Sequence, residues 1–244
     1  MSSVAPPEPN GSADERAELE RLRRLDDSYS LSPYYRKIWL PESPASRRMT
    51  GRKWTLIARV LKEERLDVRS ARILDLGVGS GRDSARFKDL EVRPDRFVGL
   101  EFLELRAREA REFNPWMRTI VGDAGTLPFP RDSFDLVYQS TMLSSVLEER
   151  RRERILHEIG RVLVPGGLFL SYDTRYRNPW NQHTRPLRIS RIRRALPGWS
   201  IKAWSTTAIP QLQRLVAPLS LAMCDALESV PFLRSHLVIA ARRA

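Results

Sequence analysis

The sequence predicts an α/β fold, a parallel sheet covered by helices on both faces. Three observations carry that prediction. Residues 73–81, Ile-Leu-Asp-Leu-Gly-Val-Gly-Ser-Gly, read as a short buried strand running into a tight glycine loop. Beyond them, apolar runs of strand length alternate with stretches of helical periodicity. The chain has 244 residues, 41% hydrophobic and 30% charged, enough to bury one large core.

Along the chain, residues 1–15 are rich in Pro, Ser and Ala and read as a flexible tail. They lack the basic start and apolar run of a secretion signal. Residues 13–25 alternate charge at helical spacing and predict an exposed helix. Residues 26–44 gather Tyr29, Tyr34, Tyr35 and Trp39 among prolines. Over residues 50–66, Trp54, Ile57, Val60 and Leu61 recur at helical spacing and predict an amphipathic helix leading into the first strand. A helix over 82–90 follows the glycine loop. Strands are predicted over 96–101, from Ser133 onward, and over 168–172, with a helix over 154–164 before the last of these. A loop rich in Asn, Pro, Trp and Arg fills 173–186, and a helix 187–196 with Ile189, Ile192 and Leu196 on one face comes next. A strand over 199–207, a mainly apolar helical insertion near 208–230 with an internal Pro218, and a strand over 235–240 complete the reading.

The glycines sit at alternate positions, Gly77, Gly79 and Gly81, where positive φ and close approach of a ligand to main-chain N–H groups are both available. A dinucleotide fingerprint, G-x-G-x-x-G, wants its third glycine at position 82 or 84; these are Arg82 and Ser84. The D-x-G-x-G-x-G that begins at Asp75 instead resembles motif I of the class I S-adenosylmethionine-dependent methyltransferases. Further segments follow in that family's order: Arg96-Phe-Val-Gly-Leu-Glu101, Val121-Gly-Asp123-Ala124-Gly-Thr-Leu-Pro-Phe, Ser133-Phe-Asp135 and Pro165-Gly166-Gly167. The likeness is close over about residues 70–175 and loose elsewhere.

The resemblance implies a Rossmann-like seven-stranded sheet, mostly parallel with its last strand antiparallel, over residues 67–244, and a leading segment 16–66 folded over the site as a lid or packed on the core. It implies S-adenosylmethionine as cofactor. Asp75, Gly77, Gly79, Gly81 and Gln139 would border it, Glu101 would accept from its ribose hydroxyls, and Asp123 with the Ala124 amide would meet its adenine. Acceptor contacts are expected from Tyr34, Tyr35, Ser140, Thr141 and Tyr172.

Methyl transfer from a sulfonium is an in-line displacement that depends mainly on alignment, with a proton acceptor needed when the nucleophile is an alcohol. Asp173, at the end of the fifth strand, and His183, in the loop after it, are the candidate bases; His157 and His236 read as structural. No spacing suggests a metal site. The lone Cys224 rules out a disulfide framework and fits a cytoplasmic protein. The longest uncharged run of the basic region, residues 215–224, is too short to span a bilayer.

Net charge is +12, and it is unevenly placed. Residues 1–150 carry 26 basic and 25 acidic side chains, residues 151–244 carry 16 and 5. Either an arginine-biased composition or an anionic partner explains that excess: a phosphorylated or lipid-linked acceptor, a membrane surface, or nucleic acid. Arg188 and Arg191 are expected at the acceptor entrance. The Asn/Asp-Pro-Pro-Tyr of amino-methylating nucleic-acid enzymes is replaced by Tyr138-Gln-Ser-Thr141, and the paired glutamates of protein arginine methyltransferases have no counterpart in the adjacent Glu148 and Glu149. The expectation is therefore O-methylation of a small-molecule, glycan or secondary-metabolite acceptor in biosynthesis. An RNA methyltransferase gripping phosphates with its basic region, or an N-methyltransferase of a natural product, is the alternative.

Overall fold

The computed structural model describes residues 13–31, 43–179 and 181–244. Tyr34, Tyr35 and Trp39 lie outside the described residues. The sheet has seven strands in the order β3-β2-β1-β4-β5-β7-β6. They are β1 (Ile73–Leu76), β2 (Phe97–Glu101), β3 (Arg118–Val121), β4 (Phe134–Ser140), β5 (Leu163–Thr174), β6 (Ser200–Ala208) and β7 (Arg234–Arg242). Neighbours from β3 through β5 pair in parallel, and β7 runs antiparallel to both β5 and β6. The strand order turns back between β1 and β4, so their carboxyl ends open the crevice in which such sheets bind ligands.

Period-two side chains divide the core between the two faces. On β4, Leu136 and Tyr138 face one cluster and Val137 the other, which Phe134 joins because the register shifts between it and Leu136. The first cluster buries Trp54, Ile57, Val60 and Leu61 of α2 (Pro44–Glu63) against the sheet. The second buries Ile155, Ile159 and Val162 of α5 (Glu149–Val162) and Ile192 of α6 (Ile189–Ala195). Two further helices flank the crevice, α3 (Glu104–Phe113) after β2 and the single turn α4 (Met142–Ser145) after β4.

Several boundaries differ from expectation, each for a local reason. The first helix, α1 (Ala13–Leu31), is longer than predicted and only partly exposed. Glu18 and Leu19 are buried, because Glu18 pairs with Arg21 at 2.7 Å and accepts the Leu147 amide at 2.5 Å. After the glycine loop the chain forms a 3-10 helix, Ser84–Leu90, in place of an α-helix. Asp83 sits at its N-cap without capping it, since the carboxylate is drawn into tertiary hydrogen bonds, and Glu91 ends it at φ 58°. Pro218 splits the predicted insertion into α7 (Pro210–Val216) and α8 (Leu221–Ser229). Among the described residues no helix is long and apolar enough to cross a membrane.

Glu228 fastens that insertion to the sheet. Buried on α8, its carboxylate accepts the Thr207 and Ala208 amides at 2.6 and 2.7 Å and the Gln213 side chain at 3.3 Å. Glu228→Ala leaves two backbone N–H groups without an acceptor, so urea unfolding should show a loss of about 2–4 kcal/mol. A loss below about 0.5 kcal/mol would mean that water replaces the carboxylate freely.

Candidate cofactor and acceptor site

The loops at the carboxyl ends of the strands enclose a cavity of about 1380 Å³. Its floor is the glycine loop, where Gly77, Gly79 and Gly81 hold φ values of 71°, 55° and 78°. A Cβ on Gly77 would collide with Met142, and one on Gly81 with Asn114 and the Ala110 backbone, so these two glycines serve close packing. At Gly79 nothing lies within 4 Å of the Cβ position, and the residue faces the cavity. The Gly79 amide donates to Glu101 Oε2 at 2.8 Å; Oε1 accepts the Phe102 and Leu103 amides at 2.9 and 3.1 Å. One carboxylate thus joins the ends of β1 and β2 beside an open space.

Behind the loop, Asp75 is buried and accepts from Ser84 Oγ at 2.6 Å. Burial pushes its carboxyl up to about 7, against the pull of the Ser84 hydroxyl, and the nearby Asp83 carboxylate adds to the rise. Asp83 itself is ionised. Burial opposes this, but the Lys53 ammonium and hydrogen bonds from Lys53, Tyr138 (2.6 Å) and Trp54 (2.9 Å) hold it below the usual carboxylate range. Lys53 also donates to Ser140 Oγ at 2.7 Å and lies 4.3 Å from the centre of the Tyr172 ring. The sequence reading gave no role to Lys53, Asp83 or Tyr138. One signal was present: Lys53 shares the apolar stripe of α2 with Ile57, Val60 and Leu61, an unusual place for an unpaired cation.

At the far wall, Gly122 and Ala124 line the cavity together with Leu100, Met142, Val146 and Ile155. Between them Asp123 Oδ1 accepts from the Gly125 amide at 2.7 Å and from Arg151 Nη2 at 2.6 Å. Arg151 is 4% exposed, lines the cavity, and has a buried Nε without a hydrogen-bond partner. A buried, unpartnered guanidinium N–H beside these apolar side chains is a place for a ligand's acceptor atom.

The acceptor half departs further from expectation. Ser140 and Thr141 line the cavity, Thr141 in the left-handed region at φ 57°. Gln139 does not: fully buried, it donates to Ser171 Oγ and Asp173 Oδ2 and accepts the Met142 amide at 2.9 Å. Asp173 is likewise sealed, its carboxylate accepting the Thr174 and Ser144 amides at 2.7 and 3.1 Å, and burial raises its pKa. These two residues brace the turns after β4 and β5, so Asp173 is placed to position the site and not to take a proton from an acceptor. Tyr172 is buried between Lys53 and His236, with its hydroxyl donating to Thr207 at 2.8 Å. His183 is half-buried, and its neighbours Asn181 and Thr184 line the cavity in its stead.

Neither predicted arginine reaches the entrance. Ile192 docks in the core beside α5, which turns Arg191 onto Glu149 and Glu153 at 3.4 and 3.7 Å, and Arg188 is exposed at the start of α6. The arginines that do line the cavity are Arg82, Arg106, Arg151, Arg177 and Arg214. His236, read as structural, lines it too. Its ring stacks on Tyr172 with centroids 4.9 Å apart, and burial, aided by the Lys53 charge, pushes its pKa down to about 4, so it is neutral at physiological pH. Among the described residues no cluster of three or more His, Cys, Asp or Glu stands ready for a metal ion.

A family model described as a methyltransferase domain matches residues 73–167, the span that builds the glycine loop, Glu101 and the Asp123 wall. The chain carries a class I S-adenosylmethionine-dependent methyltransferase domain. It is 35% identical over 113 residues to the fatty-acid O-methyltransferase of Mycolicibacterium smegmatis, a match covering 46% of this chain and 40% of that protein. It is 30% identical over 155 residues to the demethylmenaquinone methyltransferase of Paenarthrobacter aurescens, covering 63% and 56%. Both matches span less than two thirds of the relative's length. Among solved structures, an S-adenosylmethionine-dependent methyltransferase from Mesorhizobium loti superposes with a TM-score of 0.54 at 21% identity, covering 76% of this chain and 96% of that one. At that identity it speaks for the fold.

The methyltransferase cofactor fits these residues. The open space over Gly79, the fixed Glu101 carboxylate and the unpartnered Arg151 Nε are complementary to the main-chain approach, ribose and base of S-adenosylmethionine. When bound, it supplies a methyl group activated by a sulfonium charge.

Asp75 makes cofactor binding depend on pH. Its folded pKa of about 7 lies above the reference 3.8, so the native chain holds an extra proton between those values. Its contribution to stability is therefore greatest at low pH and declines as pH rises through about 7. A cation in the cavity favours the carboxylate. Binding of S-adenosylmethionine at about pH 6.5 should then release a proton, seen as heats that differ between buffers of different ionisation enthalpy. Asp75→Asn should remove the difference; equal heats for the wild type would refute the linkage.

Proposed function

We propose that the chain methylates an oxygen of a small amphiphilic acceptor, anionic or lipid-linked, of the kind found in glycan or secondary-metabolite biosynthesis. The observation that carries this reading is the continuity of one concave site. The same cavity that passes Gly79 and Glu101 runs past Ser140 and Thr141 to Thr174, Asn178, Asn181, Gln211, Arg214 and His236. That is a wall of hydrogen-bond donors and acceptors with arginine at its edge, suited to hold a polar or anionic head group. The likeness to a fatty-acid O-methyltransferase supports oxygen as the nucleophile.

In this reading Lys53, Asp83 and Tyr172 fix the floor of the acceptor site, and Asp173 with Gln139 fixes its rim. His236, neutral at working pH with a pKa too low for an effective base, is placed to orient the acceptor by hydrogen bonding. An ionised carboxylate acceptor would need no base at all.

Incubation with methyl-labelled S-adenosylmethionine and fractionated extract should label the small-molecule or lipid fraction. Transfer to a water-soluble acceptor should change less than about threefold between about 50 and 200 mM salt, whereas a grip on several nucleic-acid phosphates would lose orders of magnitude. His236→Ala should raise the acceptor's KM roughly tenfold with a smaller change in kcat, as loss of an orienting hydrogen bond predicts. Label recovered in RNA, with a steep salt dependence, would replace this reading with the nucleic-acid one.

A further inference from the structure

We propose that the tip of the α7–α8 hairpin, together with Phe232, is a docking surface for an anionic lipid bilayer. Eight large apolar side chains are exposed among the described residues, and five of them fall between 215 and 232. Leu215, Leu219 and Phe232 are 71%, 79% and 71% exposed, and Leu221 and Met223 about half. Four of these are near neighbours in sequence across the turn that Pro218 makes, so they form one apolar tip.

The tip is held rigidly. Ala217 and Cys224 are buried with Ala45 beneath it, and Glu228 and Gln213 tie the hairpin's root to the end of β6. Folding therefore has a use for the inner side of the hairpin and none for the outer. A projecting apolar tip on a fixed base is the shape that inserts between head groups.

Charge selects the partner. Of the two carboxylates of α8, Glu228 is turned inward onto backbone amides, and Asp225, at the surface, is neutralised by Arg48 and Arg52. The base of the hairpin is cationic. Arg214 precedes Leu215; Arg175 donates to the Pro231 carbonyl at 2.9 Å; Arg234 donates to the Glu228 carbonyl at 2.7 Å. Residues 151–244 as a whole carry 16 basic and 5 acidic side chains. An apolar tip above a base of arginines matches an acyl layer beneath anionic head groups. A second copy of the chain fits less well, since five side chains fall short of the roughly 800 Å² per partner of a stable dimer.

The placement has a functional sense. The root of the same hairpin, Ile209, Pro210, Gln211 and Arg214, lines the cavity, as does Tyr176 beside Arg175. Docking at the tip would set the cavity mouth at the head-group layer, where an amphiphilic acceptor could enter without crossing water. The surface itself does not depend on what the acceptor is.

The test is flotation of the full chain with vesicles of phosphatidylcholine alone and of phosphatidylcholine mixed with phosphatidylglycerol. Binding is expected to the mixed vesicles, to weaken with salt, and to fall roughly tenfold or more in the Leu219→Ser/Phe232→Ser double variant. That variant should keep its melting temperature and its affinity for S-adenosylhomocysteine. Cys224 is buried, so Leu219→Cys carrying an environment-sensitive dye gives a second readout, a blue shift on anionic vesicles only. Four results would overturn the proposal: no vesicle binding, equal binding to both compositions, unchanged binding by the double variant, or a dimer of the free chain that the double variant abolishes. Loss of S-adenosylhomocysteine binding by the wild type would instead strike at the cofactor site and leave this surface standing.

Discussion

The site depends on one carboxylate shared by three amides. Glu101 ends β2 and accepts from Gly79 across the crevice and from Phe102 and Leu103 on its own strand's extension. An amide facing solvent at φ 55° would otherwise let the glycine loop adopt many conformations, because glycine forfeits more backbone freedom than other residues when it is fixed. Bonded to Glu101, the loop becomes a shaped surface before any ligand arrives. The parallel pairing of β1 with β2 supplies the register, Leu76 opposite Leu100, that brings the two strand ends together.

The second constraint is the Lys53 cluster. Its ammonium offsets Asp83, hydrogen-bonds Ser140 and lies against Tyr172, while the Tyr172 ring stacks on His236. Residues from α2, the loop after β1, β4, β5 and β7 are thereby held as one unit. The two halves of the cavity share this floor, so cofactor and acceptor ends are set relative to each other by buried ionic and aromatic contacts. The same charge helps keep His236 neutral, which links the electrostatics of the floor to the chemistry available at the acceptor end.

Much of this was legible in the sequence because it is local. The strand–loop–acid pattern from Ile73 to Glu101 encodes a turn geometry and a register that lie within about thirty residues, and the Gly122–Ala124 wall follows by its own motif. The acceptor half was not legible, for two physical reasons. Its contacts join distant residues: Lys53 to Ser140 spans 87 positions and Tyr172 to Thr207 spans 35. And polarity at a strand end does not say which way a side chain turns: Gln139 and Asp173 satisfy backbone amides inside the turns, whereas Ser140 and Thr174 face the cavity. Arg191 failed as a site residue because Glu149 and Glu153 on α5 offered closer partners, and Arg188 because it sits exposed at the start of α6.

The central claim is that Glu101 and the loop it holds form an S-adenosylmethionine site. Isothermal titration of the wild type and of Glu101→Ala with S-adenosylmethionine and with NAD tests it directly. One site per chain is expected for S-adenosylmethionine, tighter than NAD. The substitution should cost roughly 2–4 kcal/mol of binding, because it removes hydrogen bonds to a charged acceptor and frees the Gly79 amide. Tighter binding of NAD, or an affinity for S-adenosylmethionine that Glu101→Ala leaves unchanged, would contradict the account.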